Sequence, residues 1–136
     1  MKKCLFIIFA MLYLTACGPN AQEDTKQTTE ATQEATYMNI TAQQAKEIMD
    51  TQEGYIILDV RTQAEYEEGH IPGAILIPNE QILERAESML TNKDQLILVY
   101  CRSGRRSKLA SEDLVKLGYT NIKEFGGIID WPYEVE

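Results

Sequence analysis

A chain of 136 residues, 44% of them hydrophobic and 25% charged, has room for one folded domain and not for two. Its formal charge of −8 argues against nucleic acid or an anionic lipid surface as a partner for the general surface. With one histidine, few cysteines and no Gly-rich nucleotide motif, neither a metal site nor a cofactor is expected.

The chain opens on Met1-Lys2-Lys3, an apolar run from Leu5 to Leu14, and Thr15-Ala16-Cys17. Two positive charges, a short apolar core and small residues before a processing point describe a secretion signal over residues 1–16. From Leu5 to Ala16 a helix would reach only about 18 Å, too short to span a bilayer. Leu14-Thr15-Ala16-Cys17 resembles the lipobox of bacterial lipoproteins, which implies cleavage before Cys17 and lipid modification of its thiol. An ordinary secretion signal or a buried helix is the alternative. Residues 17–36, rich in Thr, Gln, Glu and Ala, cannot bury enough surface to offset the entropy of ordering, so a flexible tether is expected there. The expectation is thus an extracytoplasmic domain held to a membrane through Cys17.

The folded domain is expected over residues 37–136. Tyr37 to Ile40 reads as a short strand, and Thr41 with Gln44 forms a capping box that opens a helix through about Met49. Gly54 breaks to a buried strand, Tyr55-Ile56-Ile57-Leu58, that ends at Asp59. Thr62 to Glu67 predicts one or two helical turns stopped by Gly69, and His70-Ile71-Pro72-Gly73 has turn chemistry. A short strand over Ala74 to Ile77 and a helix from about Glu80 to Leu90 follow. Gln95 to Tyr100 is the next strand and Arg106 to Leu117 the next helix, with Gly118 past its end. Ile122 to Phe125 closes the strands before Gly126-Gly127 and a turn around Ile128 to Trp131. Strands that alternate with helices and carry apolar runs indicate an α/β domain with a mainly parallel sheet. Ligands gather at the carboxyl ends of strands in such sheets, where Asp59 and Cys101 both fall.

The most informative stretch is Cys101-Arg102-Ser103-Gly104-Arg105-Arg106-Ser107. A cysteine at the tip of a strand, then a turn, then a helix start aims N–H groups and the positive helix end at one sulfur. Signal cleavage would discard Cys4 and lipid would cap Cys17, leaving Cys101 as the one free thiol. The cluster of Arg102, Arg105 and Arg106 opposes the global charge. These residues describe a cysteine nucleophile that acts on an anion.

Asp59-Val60-Arg61, Glu65-Tyr66 and Gly69-His70-Ile71-Pro72-Gly73-Ala74-Ile75, the Cys101 to Ser107 loop, and Gly126-Gly127 with Trp131 together resemble the motifs of the rhodanese-like family, in the family's order. The resemblance implies a three-layer α/β/α fold with a mainly parallel central sheet of about five strands. It also implies a sulfurtransferase: Cys101 takes the outer sulfur of a thiosulfate-like anionic donor as a persulfide and gives it to a thiol or cyanide-like acceptor. Backbone N–H groups from Arg102 through Ser103, Gly104 and Arg105 to Arg106 would cradle the persulfide. Gly104 tolerates the positive φ that a tight cradle needs. Arg106 is expected to shape the loop or hold the donor anion, and Arg102 also matches the family. Arg105 departs from it, either sharpening preference for a dianion or facing solvent. Asp59 and Arg61 are expected to support the loop, with Arg61 paired to Glu65. Trp131 is expected to pack at the pocket edge, Tyr66 in the core, and His70 in a structural turn.

Two rivals differ in class. A phosphatase or arsenate reductase on the same fold needs five residues between cysteine and arginine, whereas four separate Cys101 from Arg106 and position 107 is serine. A sulfur-carrier or redox binding module would use the same loop without turnover. A monomer suffices for either activity.

Overall fold

The computed structural model describes residues 36–136. The expected signal, Cys17 and nearly all of the expected tether fall outside the described residues. Five strands form one sheet in the order β1-β5-β4-β2-β3, where β1 is Met38–Asn39, β2 Ile56–Asp59, β3 Ile75–Leu76, β4 Ile97–Cys101 and β5 Ile122–Gly127. Every neighbouring pair is parallel. Four α-helices connect them: α1 Ala42–Thr51, α2 Gln63–Glu68, α3 Ile82–Met89 and α4 Arg105–Lys116.

Alternation along the strands sorts the core into two apolar clusters, one on each sheet face. Leu58, Ile97, Val99, Cys101 and Ile122 meet Ile82, Ala86 and Leu90 at α3, and Ala110 and Leu114 of α4. Ile57, Leu98, Tyr100 and Phe125 meet Ala45 and Ile48 of α1, with Ile71 and Trp131. This is the three-layer α/β/α arrangement expected. All five residues of β4 are buried, which is why its sequence is a continuous apolar run rather than an alternating one.

Helix starts follow the sequence closely. The Thr41 hydroxyl accepts from the Gln44 N–H while the Gln44 side chain accepts from the Thr41 N–H, at 3.1 and 2.9 Å. Thr62 and Glu65 repeat this capping box at α2. The helix expected from Glu80 begins instead as a 3-10 turn, Asn79–Gln81, with α3 starting at Ile82. The cause is the chain entry. Asn79 N–H is held by the Val60 carbonyl at 3.0 Å and Gln81 N–H by Pro78 at 2.8 Å, so the first turn is wound too tightly for an α-helix.

One irregularity shapes the site. Val99 pairs with Glu124, but two residues on Cys101 pairs with Gly127, three residues on. The extra residue in β5 is taken up at Gly126, whose φ of 88° favours glycine. The Gly126-Gly127 pair, expected to follow the last strand, therefore lies inside it.

Candidate active site

Cys101 ends β4, and three residues separate it from the start of α4 at Arg105. Gly104, with φ 101°, turns the chain so that its own N–H donates to Cys101 Sγ at 3.0 Å. The sulfur is almost fully buried and also lies 3.4 Å from the Ser107 hydroxyl. Burial pushes the thiol pKa up. The Ser107 hydroxyl and the N–H groups of Ser107, Gly104 and Ser103 outweigh it, so Cys101 ionises below the ordinary thiol value. The positive end of α4 points the same way. The N–H groups that reach the sulfur are those of Ser103, Gly104 and Ser107, and those of Arg102, Arg105 and Arg106, also expected there, are not among them.

A cleft of about 420 Å³ opens over the loop, lined by Asn79, Glu80, Arg102, Ser103, Arg105, Arg106 and Leu109. Arg102 and Arg105 are exposed, and among the described residues neither is in a salt bridge. Arg106 is committed elsewhere. Its guanidinium donates two bonds to the Glu65 carboxylate, at 2.7 and 2.8 Å. Arg106, expected either to shape the loop or to hold a donor anion, here ties the start of α4 to α2. The free cations at the cleft are Arg102 and Arg105.

This fork has a pH signature. The Arg106 guanidinium, helped by the Thr62 N–H and hydroxyl against the effect of burial, lowers the Glu65 pKa from 4.5 to about 2. A carboxylate depressed on folding adds stability above its unfolded pKa, and that stability is lost as pH falls from about 4.5 through about 2. Both side chains are about a quarter exposed, so solvent screening leaves the pair worth about 1–2 kcal/mol. Urea melts across that pH range are expected to show the loss in the parent and not in Glu65→Gln.

Asp59 and Arg61 lie at the end of β2, but they pair with each other rather than through Glu65. The Asp59 carboxylate, fully buried, accepts from Arg61 N–H at 2.9 Å, Nε at 3.0 Å and a terminal nitrogen at 2.6 Å. It also accepts from the Tyr100 hydroxyl at 2.7 Å, and that hydroxyl accepts from Ile71 N–H at 3.1 Å. Arg61 goes on to the Gly69 carbonyl at 2.7 Å. Asp59 shares its sheet face with Ile57 and Tyr100 rather than with Cys101, so this network fixes the β2–α2 loop and touches no reacting atom. Removing one partner strands a buried charge. Asp59→Ala is expected to cost about 3–5 kcal/mol in denaturant melts.

Trp131 belongs to that second face as well. It packs on Phe125 with ring centroids 5.5 Å apart and lines a separate groove of about 510 Å³ with Tyr55, Ile71 and Tyr133. It is a core residue away from the sulfur. His70 stacks on Tyr66 at 3.8 Å in the turn before β3, at a distance in the fold from the Cys101 cradle. Tyr66 is only partly buried and donates to the Ala74 carbonyl. Among the described residues, no three His, Cys, Asp or Glu side chains converge as metal ligands.

Sequence reasoning gave one participant the wrong partner and missed another. Glu65 is the partner that immobilises Arg106, 41 positions away. Glu124 is a buried carboxyl whose Oε1 accepts from the Ser107 hydroxyl. The available signal was position: Glu124 follows Ile122 by two in a strand, which turns a charged side chain inward.

Residues 41–132 match the Rhodanese-like domain family. The thiosulfate sulfurtransferase PspE of Escherichia coli is 38% identical over 54% of this chain and 70% of its own length. A sulfurtransferase of Allochromatium vinosum is 38% identical over 64% of this chain and 79% of its own. A solved rhodanese with anions from E. coli superposes with a TM-score of 0.57 at 34% identity, covering 60% of this chain and 96% of that one. The Anabaena Alr3790 protein superposes at 0.66 with 31% identity, over 71% and 90%. The fold, the cysteine cradle and these likenesses agree, and the chain belongs to the rhodanese-like domain family.

Proposed function

We propose that this chain is a sulfurtransferase that moves a sulfane sulfur from a thiosulfate-like anion to a thiophilic acceptor through a persulfide on Cys101. The observation that carries the reading is the Cys101 sulfur, held 3.0 Å from the Gly104 N–H at the head of α4 beneath a cationic cleft. The thiolate attacks the outer sulfur of the donor. A new S–S bond forms at Cys101, the donor's S–S bond breaks, and sulfite leaves with the electron pair. An acceptor such as cyanide or a thiolate then attacks the outer persulfide sulfur, and the Cys101 thiolate leaves with its electrons. No general base is needed once the thiol is ionised. Arg102 and Arg105 draw the donor into the cleft. Steady-state thiocyanate formation from thiosulfate and cyanide tests the reading; a chain that forms none at any donor concentration contradicts it.

A second reading is favoured by one likeness. The putative sulfur carrier protein YrkF of Bacillus subtilis is 38% identical over 67% of this chain, which spans about half (49%) of that protein. A carrier would load one sulfur per Cys101 and release it only to a partner protein, so single loading without turnover on small acceptors selects it. The same proposal places the domain outside the cytoplasm on a lipid-modified Cys17. Metabolic labelling with a fatty acid, lost in Cys17→Ala, tests that part.

A further inference from the structure

Glu124 is a carboxyl 2% exposed in the middle of β5 that the transfer chemistry does not use. It shares with Ile122 the sheet face that carries Cys101 and is covered by α4. Its Oε1 accepts from the Ser107 hydroxyl at 2.6 Å and from Gly126 N–H at 2.8 Å. That same hydroxyl lies 3.4 Å from Cys101 Sγ and 3.0 Å from the Gly104 carbonyl. A serine hydroxyl owns a single proton. Of the acceptors around it the Glu124 oxygen is nearest, at the length of a charge-assisted bond. Thiolate and carboxylate therefore compete for one hydroxyl proton beneath one helix terminus.

We propose that Glu124 is a positioning residue for the catalytic sulfur: it draws the Ser107 hydroxyl proton away from Cys101 and sets a second negative charge behind it. The thiolate is then held chiefly by the loop N–H groups, with a weakened share from the Ser107 hydroxyl. This matters because thiolates lose nucleophilicity as they are stabilised, with a Brønsted slope of about 0.4–0.5. A loop that offered its full donor set would make a sulfur that is ionised but sluggish. The inference rests on Cys101 as the reacting group and adds what tunes it. The other charged groups nearby leave Glu124 this role. Arg106 of α4 acts on Cys101 as a cation but is shared with Glu65 of α2 and with Glu80 on the 3-10 turn. The Tyr37 phenol ahead of β1 lies near Glu124 and Glu112 of α4, and burial with those carboxylates raises its pKa.

The test is the pH dependence of Cys101 alkylation by iodoacetamide in the full chain, followed on the Cys101 peptide by mass spectrometry. Glu124→Gln keeps the shape and an acceptor oxygen but removes the charge, so the hydroxyl is held less strongly and is more available to the sulfur. Its thiol is expected to titrate about one to two pH units lower than in the parent. The high-pH plateau rate should fall about three- to eightfold. Glu124→Asp, which keeps the charge but withdraws it from Ser107, is expected to shift the same way by less. A Gln variant that titrates with the parent or higher overturns the proposal. If far-UV circular dichroism shows that Gln has lost the fold, the Asp variant decides in the same sense. A purely structural role for Glu124 would change melting without moving the titration. Alkylation needs no sulfur donor, so this result stands or falls separately from sulfur transfer.

Discussion

Cys101→Ser is expected to lower thiosulfate-to-cyanide transfer by at least about 10⁴-fold while the domain stays folded. Sulfur is polarisable and ionises within reach of neutral pH, whereas a serine hydroxyl at the same place stays protonated and forms no sulfur–sulfur bond. Cys101 is the only cysteine among the described residues, so no neighbouring thiol of the domain can substitute for it. The structural cost is small by comparison. A hydroxyl fits the sulfur's volume, accepts from the Gly104 N–H and can donate to the Ser107 oxygen as the thiol does. Far-UV circular dichroism and a melt within a few degrees of the parent would separate lost chemistry from lost fold. Retained turnover in a folded Cys101→Ser protein would remove the nucleophile from the account.

The second large effect is expected at a residue that never meets substrate. A Cβ on Gly127 would sit 2.0 Å from the Arg102 carbonyl oxygen, 2.3 Å from its carbon and 2.5 Å from Ser103 N. All three are backbone atoms of the catalytic loop, so no side-chain rotation relieves the overlap. Either β5 backs away or the loop does, and Cys101 pairs with Gly127 directly. Gly127→Ala is therefore expected to cost more than about 4 kcal/mol. In whatever fraction remains folded, a loop displaced by about 1 Å should lose roughly 100-fold in transfer rate. Gly104 makes the contrast. Its Cβ would meet nothing closer than Gly126 Cα at 3.5 Å, an ordinary contact, so Gly104→Ala suffers only from its φ of 101°. That conformational cost is about 1–2 kcal/mol. A denaturation series on the two variants should rank them in that order; equal stabilities would mean that β5 does not press on the loop as described.

The order of these effects shows where the sequence spoke and where it did not. Local rules were legible. The capping boxes at Thr41 and Thr62 depend on residues three apart, and β4 announced itself as a run buried on both faces. The positive φ of Gly104 was legible too, because a glycine between a strand and a helix suits a tight turn, but which N–H groups reach the sulfur was not. Pairing at a distance was not. Arg61 was expected to pair with Glu65, but Glu65 is the capping-box residue of α2 and its carboxylate accepts from the Thr62 N–H. The Arg61 guanidinium folds back on Asp59, two residues away. Glu65 then meets Arg106 across 41 positions, a contact that only the β2–β4 neighbourhood creates. Trp131 failed for a related reason. Nothing in a chain-end aromatic reveals which sheet face it will cover, and it covers the face opposite the sulfur.

These pairings change the division of labour among the arginines. The sequence left Arg106 between shaping the loop and holding a donor anion, and Arg105 between a dianion and solvent. One of them, Arg106, is part of the framework, and its loss should act through the geometry of α4 as well as through charge. Arg102 and Arg105 are the groups free to meet a donor, and their electrostatic contribution should weaken as salt is raised.

Under the proposed function, Cys101 itself carries the sulfur, and mass spectrometry of the protein mixed with thiosulfate, before any acceptor is added, reads this step alone. The Cys101 peptide is expected to gain the mass of one sulfur atom, with one equivalent of sulfite released, and cyanide is expected to return the peptide to its starting mass. An unmodified Cys101 in a preparation that turns over, or a sulfur found on another residue, would contradict the proposed role.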